Sequence, residues 1–232
     1  MDAIRNLVGR IAERCPAGRL PESYLVFDLE TSGFRHSPPQ GQKADVIVQF
    51  GVAVIQNRQL YEKMAVYIKR PPGTMSEGAM RVTGITDEIL AQKGVEPAEI
   101  YPKLVNLFEL YRSSQCMYMG HNMVAFDAPF LAADFKRHGH DFRISPNEYL
   151  DTGMMFKAAQ LRYTPSGRED LHKFFCRIKD TRSRAKWNLT LASQMLGVDK
   201  KNSLDMSSAH DAGFDCLVTH LLFEEMRTLA GL

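Results

Sequence analysis

The sequence predicts an α/β protein: one mixed sheet of five strands with helices on its faces. Three observations carry this. Three apolar segments lie close together between residues 24 and 69, the last two joined by a short QNR link, as in an antiparallel meander. Beyond residue 76 the apolar spacing turns helical, interrupted by short apolar runs at 116–120 and 148–152. The chain has 232 residues, 44% hydrophobic and 24% charged, which is ordinary for a globular protein with a sizeable core. A meander followed by alternating helices and strands is the pattern of a mixed sheet covered by helices.

Ile4, Leu7, Val8, Ile11 and Cys15 fall at helical spacing. Residues 1–20 therefore read as an N-terminal amphipathic helix packed on the body, and 21–232 as one domain. Pro16, Gly18 and Pro21 end the helix. Residues 24–30 form the first strand, with apolar residues on both faces, the mark of a central position. Gly33 breaks it, and the loop RHSPPQGQKA (35–44) follows. Strands at 46–55 and 60–69 complete the meander. Residues 76–91 read as one or two short helices about a Thr83–Gly84 turn, and 98–112 as a longer helix. The strand at 116–120 precedes a helix at 126–139, whose proline falls in the first turn, where a missing N–H costs little. A fifth strand at 148–152 runs into a helix ending near Leu161. Residues 162–186 are polar and irregular in pattern. Helices resume at 187–196 and 208–228, the last with Ser207 and Ser208 as cap candidates.

No apolar run approaches the roughly 18 residues of a membrane-spanning helix. Arg5, Arg10, Glu13 and Arg14 interrupt the N-terminus where a secretory leader would be apolar. Cys15, Cys116, Cys176 and Cys216 are scattered, with no CxxC pair. They read as free thiols in a reducing cytoplasm, without a zinc site or disulfide framework. The net charge of +2 is mildly basic and names no partner by itself.

The carboxylates say more. Side chains alternate along a strand, so Asp28 and Glu30 share one face at the carboxyl end of a central strand, a common place for ligand sites. An ordinary strand exit, with Glu30 solvated and Asp28 capping a turn, is the plain alternative. Asp127 opens a helix, where aspartate is a favoured cap. It also aligns with Phe130 and Leu131 on the core side. Asp215 shares a helical stripe with Val218 and Leu222, costly for an unpaired acid. Asp211 suits the start of the same helix. His210 precedes Asp215 by five residues, about 140° around a regular helix. The two converge only if His210 stands at the helix mouth. Four acids without basic neighbours in sequence point to a hard-cation site, Mg²⁺ or Mn²⁺ rather than zinc. Two such ions about 3.5–4 Å apart clamp the attacking and leaving oxygens of a phosphodiester. A histidine is suited to take a proton from the attacking water.

Asp28-x-Glu30, then Asn122 with Phe126–Asp127, then HDAGFD from His210 to Asp215 resemble the DEDDh group of 3′→5′ exonucleases. That group includes proofreading subunits of replicative polymerases, ribonuclease T and Trex-type enzymes. RVTGITDEIL (81–90) and Asp151–Thr152 add to the likeness, which spans roughly residues 22 to 228. The resemblance implies a ribonuclease H-like fold and a two-metal mechanism. Asp28 would bridge both ions, Glu30 and Asp215 would complete one shell, and Asp127 would hold the second ion. His210 would be the general base. Leu29 and Thr31 would contact the terminal nucleotide, and Asn122 would order the site. The chain departs from the group in carrying Thr83 where many relatives have histidine. Its spacing from Asn122 to Asp127 is nearer the Trex-type pattern, and the loop 35–44 looks inserted beside the site.

From Arg168 to Lys186 seven basic and three acidic residues give a local charge of +4. Arg182, Arg184 and Lys186 close this run beside Trp187, a composition suited to tracking phosphates and stacking bases. Phe174 and Phe175 read as core. The expected partner is a nucleic-acid 3′ end, DNA favoured over RNA. A polymerase or repair partner in trans would be needed for proofreading. RNA trimming is the alternative. A catalytically silent binding module is disfavoured by the full motif set, and an endonuclease by the position of His210.

Overall fold

The computed structural model describes residues 2–232. Its strands are β1 (Tyr24–Thr31), β2 (Ile47–Gln56), β3 (Gln59–Tyr67), β4 (Met117–Gly120) and β5 (Tyr149–Asp151). They form one sheet in the order β3-β2-β1-β4-β5. The pairs β1–β2 and β2–β3 are antiparallel; β1–β4 and β4–β5 are parallel. This is the mixed five-stranded sheet the sequence predicts, with β1 at its centre.

The helices are α1 (Asp2–Ala12), α2 (Glu77–Thr83), α3 (Asp87–Lys93), α4 (Pro97–Ser113), α5 (Asp127–Arg137), α6 (Thr152–Leu161), α7 (Leu171–Asp180), α8 (Leu189–Leu196), α9 (Val198–Lys201) and α10 (Ala212–Ala230). One face of the sheet is covered by α10, which crosses β1 and β2 and packs against α1 and α8. Tyr24 marks this face. Its ring meets Phe223 edge-on at 5.5 Å and its hydroxyl lies 2.8 Å from His220 Nδ1. By alternation Asp28 and Glu30 point the same way, toward α10. On the other face Phe27 packs edge-on against Phe108 of α4 at 5.3 Å, with Phe50 and Phe135 around the same ring. Each such fully buried ring contributes roughly 1.5–3 kcal/mol relative to exposure.

Three local readings need correction. The segment 162–186 is not irregular throughout, because α7 occupies its middle. Asp170 caps α7 by accepting from Lys173 N, and Leu171, Phe174, Phe175 and Ile178 form its buried stripe. That i, i+3, i+4, i+7 spacing was masked by the density of charges between the apolar residues. The last helix does not start on Ser207 or Ser208, which lie in a short 3₁₀ turn. It starts at Ala212, capped by Asp211, whose side chain accepts from Phe214 N. The N-terminal helix ends at Ala12, before Cys15, and a separate 3₁₀ turn follows at Pro16–Gly18.

The sheet also leaves a gap. β4 pairs with β1 only from Tyr24 to Val26. Beyond Val26, β1 continues without a strand on that side, and its backbone groups need other partners. The start of α5 fills the gap.

Candidate active site

Four carboxylates meet at the free end of β1. Asp28 is partly buried and Glu30 is 8% exposed, both on the α10 face. Asp127 is not the cap of α5: Phe126 holds that position. Its Oδ1 instead accepts from Leu29 N at 3.1 Å, across the gap left by β4, so the helix start is tied to the strand end. Asp215 lies in the first turn of α10, also 8% exposed. His210 stands outside the helix with a left-handed backbone (φ 70°), and its N–H donates to Asp215 Oδ2 at 3.2 Å. That kink turns the five-residue spacing into proximity. Donor atoms of Glu30, His210 and Asp215 lie within 4.8 Å of one another.

The four acids line one cleft of about 480 Å³ together with Leu29, Thr31, Asn122, Lys186 and His210. Arg182 and Arg184 are exposed and do not line it. The Leu29 N–H is taken by Asp127, and Thr31 Oγ1 donates to Gly33 O at 2.6 Å. Thr83 lines the cleft, but its hydroxyl donates to Ala79 O within α2. Phe34, 80% exposed, and Val82 form an apolar rim. Phe34 opens the loop that begins the inserted segment, and Asp45 folds that loop back by accepting from Arg35 N at 2.8 Å.

The electrostatics are one-sided. Burial, then the charges of Asp127, Asp215 and Glu30, push the Asp28 carboxyl well above the usual carboxylate range. Burial and then Asp215 push Glu30 up to about 9. Burial and then Asp151 raise Asp127 to about 8, against the Leu29 N–H, which favours its charged form. Burial raises Asp215 to about 6, opposed by the His210 N–H. None of the four makes a salt bridge among the described residues. Asn122 Oδ1 is buried beside them without a hydrogen-bond partner among the described residues. A set of mutually repelling carboxylates, none ion-paired among the described residues although Lys186 lines the same cleft, fits a hard divalent ion.

Three contributors went unassigned at the sequence level. Asp151, fully buried, accepts from Asn122 N at 3.0 Å, Val124 N at 2.9 Å and Met154 N at 3.0 Å, shaping the turn between β4 and α5. His121 donates from Nε2 to Trp187 O at 2.8 Å, and burial lowers its pKa to about 4, so it is a neutral strut. Gln49 bridges β2 to the start of α10. Its one visible signal was a polar residue inside the apolar run VIVQFGVAVI.

Sheet order and flanking helices define the ribonuclease H-like class of α/β fold. Two solved structures share it. The zinc-bound form of the Escherichia coli exonuclease I–ssDNA complex is 20% identical with a TM-score of 0.66, covering 91% of this chain and 42% of its own. E. coli exonuclease I in complex with a dA16 oligonucleotide is 22% identical with a TM-score of 0.65, covering 90% and 41%. A family model described as exonuclease (RNase_T) matches residues 25–223. The chain belongs to this DnaQ-like 3′–5′ exonuclease family. DNA polymerase III PolC-type of Mycoplasmopsis pulmonis is 32% identical over 123 residues, 53% of this chain. The 3′-5′ exonuclease DinG of Bacillus subtilis is 29% identical over 131 residues, 56% of this chain. The matched segment spans only 8% and 12% of those relatives' lengths. Among the described residues no helix is long and apolar enough to cross a membrane.

Proposed function

We propose that the chain is a metal-dependent exonuclease that hydrolyses nucleic acid from the 3′ end and releases 5′-mononucleotides, with single-stranded DNA or DNA 3′ ends as the favoured substrate. The observation that carries this is the convergence of Asp28, Glu30, Asp127 and Asp215 from three distant segments, with none of them in a salt bridge among the described residues. The family supports the reaction class. The exonuclease I structures were solved with single-stranded DNA, which supports the choice of substrate.

In this reading Glu30 and Asp215 would hold one divalent ion, Mg²⁺ or Mn²⁺, Asp127 would hold a second, and Asp28 would serve both. Bound there, such ions neutralise charge on the phosphate and lower the pKa of the attacking water. His210, at the solvent-facing mouth of α10, accepts the proton from that water. Its own N–H anchors Asp215, so base and ligand move together. Leu29 and Thr31 flank the terminal nucleotide, and Asn122 orders the turn beside it. Lys186 at the cleft, with Arg182 and Arg184 beyond it, guides the phosphates of the incoming strand. The polymerase named among the relatives supports a replication or repair context. Four unpaired thiols fit a cytoplasmic setting.

The test is one panel of 5′-labelled DNA and RNA, single- and double-stranded, with Mg²⁺ or Mn²⁺. Stepwise shortening to 5′-mononucleotides is expected, fastest on single-stranded DNA and absent in EDTA. His210→Ala lowers turnover about 10²–10⁴-fold while metal affinity holds. Cleavage that survives EDTA, or His210→Ala with unchanged turnover, rejects the assignment.

A further inference from the structure

We infer that Gln49 is a positioning residue for the reaction: its side-chain amide fixes the start of α10 and so the placement of His210 against Asp215. The inference rests on the reading that those two residues act at the phosphate.

Gln49 is 1% exposed, stands opposite Glu30 in the β1–β2 register, and faces α10. Its Nε2 donates to Asp211 Oδ2 at 2.8 Å, and its Oε1 accepts from Ala212 N at 3.1 Å. Both halves of the amide are therefore used, each on the helix start. Two residues along the same face, Gly51 lets that start come close: a Cβ there would collide with the Ala212 carbonyl. Asp211 divides its carboxylate in the complementary way. Oδ1 accepts from Phe214 N at 2.9 Å and caps α10, while Oδ2 faces Gln49.

The neighbouring residue explains why such a clamp is needed. His210 holds a left-handed backbone that non-glycine residues adopt at a penalty. In that conformation its N–H reaches Asp215, and Asp215 N in turn donates to Asp211 O at 2.9 Å. If residues 211 and 212 were free to shift, His210 would relax and carry its ring away from Glu30 and Asp215. Gln49 holds those two residues from a central strand, which is the rigid part of the fold.

The hydrogen-bond directions make the idea decidable by a swap. Gln49→Glu keeps size and the acceptor for Ala212 N but sets a carboxylate against Asp211. Asp211→Asn then restores one donor and one acceptor with the direction reversed, and asparagine still caps the helix. Single-turnover and steady-state rates on single-stranded DNA are measured at saturating Mg²⁺. Gln49→Glu is expected to lower kcat about 10²-fold, the scale of a 1 Å misplacement. KM stays within about twofold, since substrate contacts are untouched. Gln49→Glu/Asp211→Asn recovers most of the lost kcat. Thermal unfolding midpoints of metal-free protein follow the same pattern, lowered in the single variant and restored in the double. A Gln49→Glu enzyme with parental kcat, or a double variant no better than the single in rate and midpoint, overturns the inference. A parent chain inactive with either metal instead fells the nuclease reading, and the midpoints alone then decide the clamp.

Discussion

Asp127 and Asp134 lie seven residues apart on α5, both buried, and the chain treats them in opposite ways. Asp134 is 0% exposed and fully partnered. Arg70 and Arg137 each donate to it at 2.8 Å, Ile47 N at 3.2 Å, and the Tyr101 hydroxyl completes the set. Arg70 also donates to Ile47 O at 2.8 Å, so the network stitches α5 to the start of β2. Asp127 has backbone N–H groups, chiefly that of Leu29, and otherwise faces other acids. A buried acid that the fold neutralises itself is architecture. A buried acid left to repel its neighbours is, on the function proposed above, a place kept for a cation from outside.

The largest expected effect breaks the two acids apart. Asp134→Asn strands two guanidinium groups and is expected to destabilise by about 3–5 kcal/mol, a fall in the unfolding midpoint of about 10 °C for a chain of this size. Its activity per folded molecule stays near the parent's. Asp127→Asn should do the reverse. The metal-free midpoint holds or rises as repulsion is relieved, while kcat falls about 10³-fold, some 4 kcal/mol of transition-state stabilisation. If Asp127→Asn unfolds as Asp134→Asn does, Asp127 is structural and the contrast collapses.

A smaller effect sharpens the contrast through pH. Glu30, Asp127 and Asp215 are raised to about 9, 8 and 6 in the folded state, while unfolded carboxyls titrate at about 4. Between those limits the folded metal-free protein binds more protons than the unfolded chain. Its stability therefore rises as pH falls through the window from about 9 towards about 4. The midpoint of metal-free protein is expected to climb by several degrees from pH 9 to pH 6 and to flatten with saturating Mg²⁺, which replaces protons as the neutralising charge. A metal-free midpoint that drops over that interval would contradict the repelling cluster.

The same contrast explains what could be read in the sequence. The cleft acids and His210 were legible because each broke a local rule: acids ending an apolar strand, an acid on an apolar stripe, a histidine at an awkward helical spacing. Asp134 shares the Phe130–Leu131 stripe as well, but its partners Arg70 and Tyr101 come from elsewhere in the chain, so its neutralisation had no local sign. The cap of α10 was misread for a related reason. Ser207 and Ser208 are good local caps, but Gln49 and Gly51 on β2 fix the helix start at Ala212. Long-range hydrogen bonds decided both cases. In α7 the apolar stripe was present but outnumbered by charge.

The basic run carries the contrast to the surface and to the smallest effect. Lys173, Arg177 and Lys179 are paired at home with Asp170, Glu169 and Asp180. Arg177 also pulls Glu169 down to about 2 through its hydrogen bond. Arg182, Arg184 and Lys186 are exposed and make no salt bridge among the described residues. The backbone beneath them is held by Gln160 donating to Lys186 O at 2.9 Å and by His121 on Trp187 O. Charges kept unpaired on an anchored segment suit an anionic strand. Exchanging all three for glutamine is expected to weaken single-stranded DNA binding and to reduce the slope of log K against log salt by about 2. The unfolding midpoint should move little, since exposed charges contribute about 0–1 kcal/mol. Arg177→Gln, by contrast, should leave the salt slope alone. Equal slopes in the triple variant and the parent would show that the strand takes another path.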